Sequence, residues 1–232
     1  MEKEQVIANR TALITGGAGY LGSHLCKRLK SEGWFVIGLD LRHAFHSFWD
    51  RWFQGDVTDK TAVESVFLNY KVDAVFHLAG RIEVGESVKY PTEFWFNNAA
   101  GTINVVNVMK KHGCNKLVFS STAGVYWAGA IEIPEDECTT SNNPYANSKL
   151  SAEYAIEDSG LNYVIFRYFN LAGADPDGEL GEDHYPETHL IPRIFQNLNN
   201  FELYGDDYDT AFVAQGVANA AIDTVVTISV NG

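Results

Sequence analysis

The feature that most constrains the fold is a glycine-rich segment, Gly16–Gly22, in which every third residue is a glycine. An apolar, β-branched run at residues 11–15 precedes it, and a helical pattern follows over residues 21–32. Glycine permits a tight turn and lets the backbone approach a pyrophosphate, whose charge the amides at a helix start stabilise. This strand–turn–helix pattern predicts a dinucleotide site, although a glycine-rich turn without a ligand remains the alternative.

The following residues alternate short apolar runs with helical segments, which is typical of parallel βαβ units. Strands are predicted at residues 11–15, 34–40, 72–78, 116–121 and 162–167. Their continuous apolar character indicates a sheet covered by helices on both faces. We therefore predict an α/β fold with a Rossmann-type doubly wound parallel sheet over residues 1–170.

Residues 171–210 have a different character, because they are rich in prolines, acids and glycines and their periodicity weakens. Loops of this length in compact domains are usually functional. The final stretch, residues 211–232, is mildly apolar and is compatible with either a helix or a strand.

Charge and composition exclude several classes of protein. A net charge of −13 argues against nucleic-acid binding, and the chain has no apolar run long enough for a membrane span. The polar, acidic start is unlike a secretory signal, and the three cysteines show no metal-type spacing. We expect a cytoplasmic protein without a metal, in which His43 and His46 belong to a solvent-facing aromatic loop rather than to a metal site.

Asp40 ends the second predicted strand, where a carboxylate can accept hydrogen bonds from a ribose diol. The same charge repels a 2′-phosphate, so NAD is favoured over NADP, and Arg42 weakens that preference without reversing it. Other small or acidic residues, at 55–57 and 77–80, follow predicted strands, where ligands of such sheets bind.

Tyr145 and Lys149 are four residues apart, which places them on one face of a helix. A nearby ammonium favours phenolate over phenol, so we expect Lys149 to lower the pKa of Tyr145 from its ordinary value of about 10. The phenol then becomes a general base. A hydroxyl from residues 120–122 can orient the same substrate oxygen. A tyrosine and lysine at this spacing also occur by chance, so the glycine turn is needed to support catalysis.

These residues resemble the extended short-chain dehydrogenase/reductase superfamily and, within it, the UDP-glucose 4-epimerases. The matching segments are TGGAGYLGSH at 15–24, GESV at 85–88, FSSTAGVY at 119–126, PYANSK at 144–149, FRYFN at 166–170 and GADPDGELGEDHYPETHLIP at 173–192. The glycine turn and the Tyr145/Lys149 pair are shared across the superfamily, whereas the last two segments point to the epimerases. The similarity runs from about Thr11 to Thr210.

The resemblance implies a role for individual residues. Tyr145 would be the base, Lys149 would bind the nicotinamide ribose and tune Tyr145, and Thr122 would be the catalytic hydroxyl. The implied NAD contacts are Gly16, Gly19, Tyr20, Leu21, Gly22, Asp40, Asp56, Val57, Leu78, Ala79, Gly80, Asn97, Ser120, Tyr145, Lys149 and Tyr168. The implied sugar-nucleotide contacts are Thr122, Tyr145, Asn170, His189 and Leu190.

The chemistry implied by the resemblance is a redox reaction without net change, in which UDP-glucose and UDP-galactose interconvert through a 4-keto intermediate. NAD is the implied cofactor, a UDP-sugar the substrate, and a homodimer the assembly. Related dehydratases and decarboxylases carry an acidic residue after the catalytic hydroxyl, whereas Thr122 is followed by Ala123 and Gly124. That difference favours epimerisation.

The sequence departs from the epimerases in three places. Ile82 stands where a lysine is common, and the segment between Asp40 and Asp56 is short and aromatic. After Thr210 the resemblance ends, so residues 171–232 are interpreted as a truncated C-terminal substrate lobe. Two hypotheses therefore stay open: a working epimerase, or a truncated or diverged NAD-binding protein with little catalysis.

Overall fold

The computed structural model of the chain describes residues 10–126, 139, 141–182 and 192 and the backbone of residues 226–230. Contacts divide the chain into two units, Met1–Phe169 with Val226–Gly232, and Asn170–Val225. The domain boundary between residues 170 and 171 stays a prediction. In the part of the chain that the structure describes, no helix has the length and apolarity needed to cross a membrane.

Helices and strands alternate along the first unit. In chain order they are β1 Thr11–Thr15, α1 Tyr20–Ser31, β2 Phe35–Asp40, β3 Arg51–Gln54, α2 Lys60–Asn69, β4 Ala74–His77, α3 Val84–Lys89, α4 Pro91–Phe94, a π-helix Trp95–Ala100, α5 Gly101–Lys111, β5 Lys116–Thr122, a 3₁₀ turn Ala123–Val125, α6 Pro144–Glu157, β6 Asn162–Tyr168 and β7 Val226–Val230. The sheet order is β3-β2-β1-β4-β5-β6-β7, with β1 to β6 parallel and β7 antiparallel to β6. The predicted doubly wound parallel sheet is confirmed.

Two strands go beyond the prediction. β3 was not predicted, because it has only four residues and its first and last side chains, Arg51 and Gln54, are exposed and polar. Residues 211–232, for which the sequence did not decide between a helix and a strand, contain β7, which pairs with β6. Its residues belong to the sheet of the first unit, whereas the sequence placed them in the C-terminal lobe.

Alternating strand side chains form separate cores on the two faces of the sheet. Leu13 and Ile37 belong to the core that α2, α5 and α6 cover. Ile14 and Val36 belong to the core that α1 covers. Burial on both faces explains why the strands are continuously apolar, as parallel strands between helices require.

The turn between β1 and α1 depends on glycine for two different reasons. Gly16 has a φ of +74°, and a Cβ there would lie 2.7 Å from the amide nitrogen of Ala79. A Cβ on Gly22 would lie 2.0 Å from the carbonyl oxygen of Gly16. The first glycine therefore allows the ends of β1 and β4 to approach, and the second lets α1 start directly against the turn.

A directed chain of hydrogen bonds crosses the buried centre of the sheet through His77. Thr102 donates its only hydroxyl hydrogen to the Asn98 carbonyl at 2.6 Å, so it accepts from Nε2 of His77 at 3.0 Å. Nδ1 of the neutral ring then accepts from the Thr15 hydroxyl at 2.6 Å, and that hydroxyl accepts from the Ala79 amide at 3.3 Å. The chain joins β1, β4 and α5 and holds the backbone that follows β4.

Replacing Gly22 with alanine tests the close packing of the turn. We expect Gly22→Ala to lower the free energy of unfolding by about 1–3 kcal/mol, because the new methyl group displaces the Gly16 carbonyl. Gly85→Ala is the matched control, since a Cβ at Gly85 meets nothing within 4 Å. In that exposed helix, replacing glycine with alanine should raise the free energy of unfolding by at most about 1 kcal/mol. Urea unfolding of both variants makes the comparison, and equal effects would contradict the close approach.

The pH dependence of stability tests the buried state of His77. Burial, aided by the Lys149 charge, lowers the pKa of His77 to about 3, whereas an unfolded histidine titrates near 6.5. The unfolded chain therefore takes up a proton first as the pH falls. Between about pH 7 and about pH 5 we expect this residue to remove about 2 kcal/mol of stability. Urea unfolding of the parent and of His77→Gln, which cannot titrate, should give a steeper loss in the parent, and parallel pH profiles would disprove the assignment.

Candidate active site

The candidate site lies at the carboxyl ends of the central strands. The strand order reverses between β1 and β4, which is the position where ligands bind in doubly wound sheets. The glycine turn follows β1, and Leu78, Ala79 and Gly80 follow β4. Because Gly16 packs against the Ala79 amide, the structure brings these two predicted groups together.

The start of α1 is open to an anion. Its N-cap is Gly19, which supplies no side-chain cap, and α1 has no acidic residue in its first turn. Amides in the first turn of a helix lack partners within the helix and carry the positive end of the helix dipole. The turn that holds Gly16, Gly19, Tyr20, Leu21 and Gly22 can therefore bind a phosphate.

The carboxylate of Asp40 is fixed beside this turn. One oxygen accepts from the Ala18 amide at 3.0 Å and the other from the Arg42 amide at 3.0 Å. Each carboxylate oxygen has two acceptor positions, so a ribose diol can still bind. The predicted ribose-binding residue thus stands at the end of β2 with its orientation set by the backbone.

The aromatic segment after Asp40 packs beneath the glycine turn. His46 donates through Nε2 to the Gly17 carbonyl at 3.0 Å and accepts from the Phe48 amide at 3.3 Å. Trp52 lies against Gly38, where a Cβ would come within 2.3 Å of the indole ring. The expectation that His46 faces solvent was wrong: burial, opposed by the Gly17 bond, lowers its pKa.

Asp56 and Val57 follow β3 and start the turn into α2. The Asp56 carboxylate accepts from the Thr58 amide at 2.8 Å. Val57 is buried, and its carbonyl accepts from the Asn104 side chain at 2.6 Å. These bonds fix the backbone at the predicted adenine end, while contact with adenine itself stays a prediction.

Two asparagines of the π-helix hold the segment after β4. The Arg81 amide donates to Oδ1 of Asn97 at 3.1 Å and of Asn98 at 2.8 Å. The buried Asn98 amide nitrogen donates to the Arg81 carbonyl and to the Ser148 hydroxyl, both at 3.0 Å. Asn97 was predicted and Asn98 was missed, because its role depends on a π-helical turn that residue spacing does not reveal.

Lys149 is 3% exposed and points towards the strand ends. Its Nζ donates to the Ser120 carbonyl at 2.9 Å and lies 4.9 Å from the centre of the Phe119 ring. A Cβ on Gly80 would lie 3.0 Å from this Nζ. Burial lowers the pKa of Lys149 to about 8, and the Glu153 charge opposes that shift. The ammonium is thus held against the predicted nicotinamide end.

Tyr145 lies in the first turn of α6. The side chain of Asn143 caps this helix by accepting from the Ala146 amide at 2.9 Å, and the Tyr145 phenol lies near enough to the Thr122 hydroxyl for that group to affect its pKa. Burial raises the pKa of the phenol, and the Thr122 hydroxyl opposes that shift. The expected lowering by Lys149 was therefore wrong in direction, because desolvation of the phenolate outweighs the charge, and Nζ instead donates to Ser120.

The ends of β5 and β6 complete the catalytic side of the site. Thr122 and Tyr168 are register partners across the two strands, and the Tyr168 ring stacks on Phe166. Burial raises the pKa of Tyr168. Ser120 takes part through its carbonyl group, which binds Lys149.

The remaining predicted substrate residues belong to the second unit. Asn170 is described there as exposed, whereas His189 and Leu190 lie outside the described residues. In the described part of this unit, Asp175, Asp177 and Glu179 form an exposed acidic loop with side-chain oxygens within 4.8 Å of one another. Exposed acidic groups of this kind are common without a metal ion.

The described residues fit a dinucleotide. An uncapped helix start supplies amides for a pyrophosphate, and the Asp40 carboxylate retains acceptor positions for a ribose. A side chain in place of Gly16 would block the approach of β1 to β4. These features meet the requirements of the phosphate and ribose groups at one end of the sheet.

Comparison with known proteins agrees with this geometry. A UDP-glucose 4-epimerase of Halalkalibacterium halodurans is 42% identical over 210 residues, which cover 85% of this chain and 63% of that protein. The UDP-glucose 4-epimerase of Brucella ovis, solved in complex with NAD, superposes with a TM-score of 0.81 at 38% identity. The match covers 87% of this chain and 66% of the Brucella ovis chain. The UDP-glucose 4-epimerase of Bifidobacterium longum, solved with NAD+ and UDP, superposes with a TM-score of 0.77 at 33% identity. The match covers 92% of this chain and 75% of the Bifidobacterium longum chain.

The chain thus spans about 63% of the length of the Halalkalibacterium halodurans relative. The profile of the NAD dependent epimerase/dehydratase family matches residues 12–213, which include the glycine turn, the Tyr145/Lys149 pair and the acidic loop. The chain belongs to the NAD dependent epimerase/dehydratase family.

Proposed function

We propose that this protein interconverts UDP-glucose and UDP-galactose as an NAD-dependent 4-epimerase. The observation that carries the proposal is the placement of the Tyr145 phenol near the Thr122 hydroxyl at the strand ends, beside the buried Lys149 ammonium and the glycine turn. A phenol, a hydroxyl and a cation in one place are suited to moving a proton from a sugar hydroxyl. The relatives at about 40% identity are UDP-glucose 4-epimerases, which supports this substrate class.

The proposed NAD site uses the residues that fit a dinucleotide. The glycine turn with Tyr20 and Leu21 binds the pyrophosphate, and Asp40 binds the adenosine ribose. Asp56 and Val57 contact the adenine. The proposed contacts at the nicotinamide end are Leu78, Ala79, Gly80, Asn97, Ser120, Lys149 and Tyr168. Held by these residues, NAD would supply the hydride acceptor and donor for the sugar carbon.

Tyr145 moves the proton in the proposed reaction. Its phenolate oxygen takes the hydrogen of the 4-hydroxyl group, while Thr122 orients that sugar oxygen. Lys149, held against the Ser120 carbonyl, binds the nicotinamide ribose, and the Thr122 hydroxyl favours the phenolate, which matters because burial raises the pKa of Tyr145. Ala123 and Gly124 place no carboxylate after Thr122, so this segment supplies no acid for an elimination. In the second unit, Asn170, His189 and Leu190 contact the sugar nucleotide.

We also propose that the protein is a homodimer in the cytoplasm. Ile103 on α5 and Tyr154 on α6 are 44% and 50% exposed on neighbouring helices, as apolar residues of a subunit interface would be in an isolated chain. Two of the three cysteines, Cys26 and Cys114, are free and buried, which supports a reducing compartment. The proposed small-molecule partner is a UDP-sugar. Binding to nucleic acid or to a membrane is not proposed.

A binding module with little catalysis is the second candidate function. The relatives at about 40% identity support the epimerase over this alternative. Such a module would retain NAD without turning over a sugar nucleotide.

A coupled assay with UDP-galactose separates the two functions. We expect the 232-residue chain to produce UDP-glucose, and Tyr145→Phe to lower the turnover about 10²–10⁴-fold, because the proton acceptor is removed. Tyr90→Phe is the control, since Tyr90 is an exposed tyrosine outside the site. If the parent binds NAD but forms no UDP-glucose, the epimerase is excluded and the binding module is supported.

Light scattering tests the proposed homodimer. Replacing Ile103 and Tyr154 together by glutamate should halve the particle mass, because charges at the interface are costly to bury. Phe45→Glu is the matched control, since Phe45 is 75% exposed on a different part of the chain. An unchanged dimer in the double variant would place the interface elsewhere.

A further inference from the structure

A fully buried acid lies next to the candidate site without a role in the proposed reaction. Glu153 is 1% exposed and stands on α6 one turn after Lys149. Its position four residues later places it on the same face of the helix as Lys149. A buried carboxylate is costly unless it is paired and hydrogen-bonded, so its partners indicate its purpose.

Two neighbouring strands supply the partners of Glu153. The Arg167 guanidinium of β6 donates to Oε2 through Nε at 3.1 Å and through Nη2 at 2.7 Å. The Ser121 hydroxyl of β5 donates to Oε1. Ser121 and Arg167 are register partners, and the guanidinium lies 4.8 Å from the centre of the Tyr126 ring. The acid therefore joins α6 to both strands at one point.

This junction lies at the end of the strand that serves the catalytic pair. Ser120, the residue before Ser121, accepts from Lys149 through its carbonyl, and Thr122, the residue after it, lies near the Tyr145 phenol. A shift of Ser121 would therefore move the partners of both Tyr145 and Lys149. The carboxylate also places a negative charge one helical turn from the Lys149 ammonium.

We propose that Glu153 is a positioning residue that keeps the Lys149 ammonium charged inside the protein and holds the end of β5 against α6. Arg167 and Ser121 hold the carboxylate in place. Glu153 itself touches neither Tyr145 nor the strand hydroxyl at Thr122 among the described contacts, so it acts through Lys149 and β5.

The charges around Lys149 give the direction of the expected effect. The titratable groups near Lys149 are Tyr145 and Glu153 on α6 and His77 on β4, and Arg167 of β6 pairs with Glu153. From β5 come the Ser120 carbonyl and the Phe119 ring. His77 is neutral near pH 7, because its pKa is about 3. Without the Glu153 charge, burial acts against the ammonium unopposed.

Carbon-13 NMR of the lysine Cε groups measures the pKa of Lys149 directly. The resonance is assigned by its loss in Lys149→Met, and the titration uses the full chain without added ligand. The midpoint in the parent is expected at about 8. In Glu153→Gln we expect it to fall by roughly 1 pH unit or more, because the opposing negative charge is gone.

Two further variants keep the test decisive. If Glu153→Gln does not fold because Arg167 is left unpaired, Glu153→Gln with Arg167→Met removes both charges, and its Lys149 midpoint should also fall below that of the parent. Glu157→Gln removes an exposed acid one turn further along α6 and should leave the midpoint in place. An unchanged midpoint in a folded Glu153 variant, or an equal fall in Glu157→Gln, overturns the proposal.

The consequence for catalysis rests on the proposed function, whereas this titration does not. It requires neither substrate nor turnover, so an inactive chain in the coupled assay would leave the Lys149 result intact. In an active enzyme, the loss of Lys149 charge should lower kcat with little change in KM and move the alkaline limb of the kcat profile to lower pH.

Discussion

The carboxyl ends of β1 and β4 approach so closely that no side chain fits between them. A Cβ on Gly16 would stand 2.7 Å from the Ala79 amide, and that amide is in turn held by the hydrogen-bond chain through His77. Because of this contact, the glycine turn and the segment after β4 form one edge of the site. The uncapped start of α1 follows the glycine turn on this edge, and the Lys149 ammonium lies against Gly80 in the segment after β4.

Burial sets the chemistry of the catalytic pair, and it acts against the charged form of each member. It raises the pKa of Tyr145 and lowers that of Lys149 to about 8, so burial disfavours both the phenolate and the ammonium, although Lys149 still carries its proton near pH 7. The chain opposes this with the Thr122 hydroxyl near the phenol and with the Glu153 charge behind the ammonium. Proton transfer thus depends on two weaker interactions that offset desolvation.

The sequence was most informative where one local rule decides the structure. The glycine spacing and the apolar runs predicted the first βαβ unit and the parallel sheet, because turn geometry and burial on both faces restrict those residues directly. The four-residue spacing placed Tyr145 and Lys149 on one helix face, and the resemblance to the epimerases added Thr122, which lies near the Tyr145 phenol in the structure. Asn98 and Glu153 were not identified, because their importance comes from contacts with distant strands and loops. The direction of the Tyr145 pKa was also missed, since spacing along a helix gives no measure of desolvation.

A net charge of −13 stands in apparent conflict with a site for anionic phosphates. Salt screens charges beyond about 10 Å at 0.1 M, so distant surface acids count for little at the site. The groups within that range act differently: the amides at the start of α1 carry partial positive charge, and the buried Lys149 ammonium is only weakly screened. Asp40 lies beside the glycine turn, and its carboxylate is already directed at backbone amides. Local dipoles and one buried cation can therefore attract an anion that the whole protein repels.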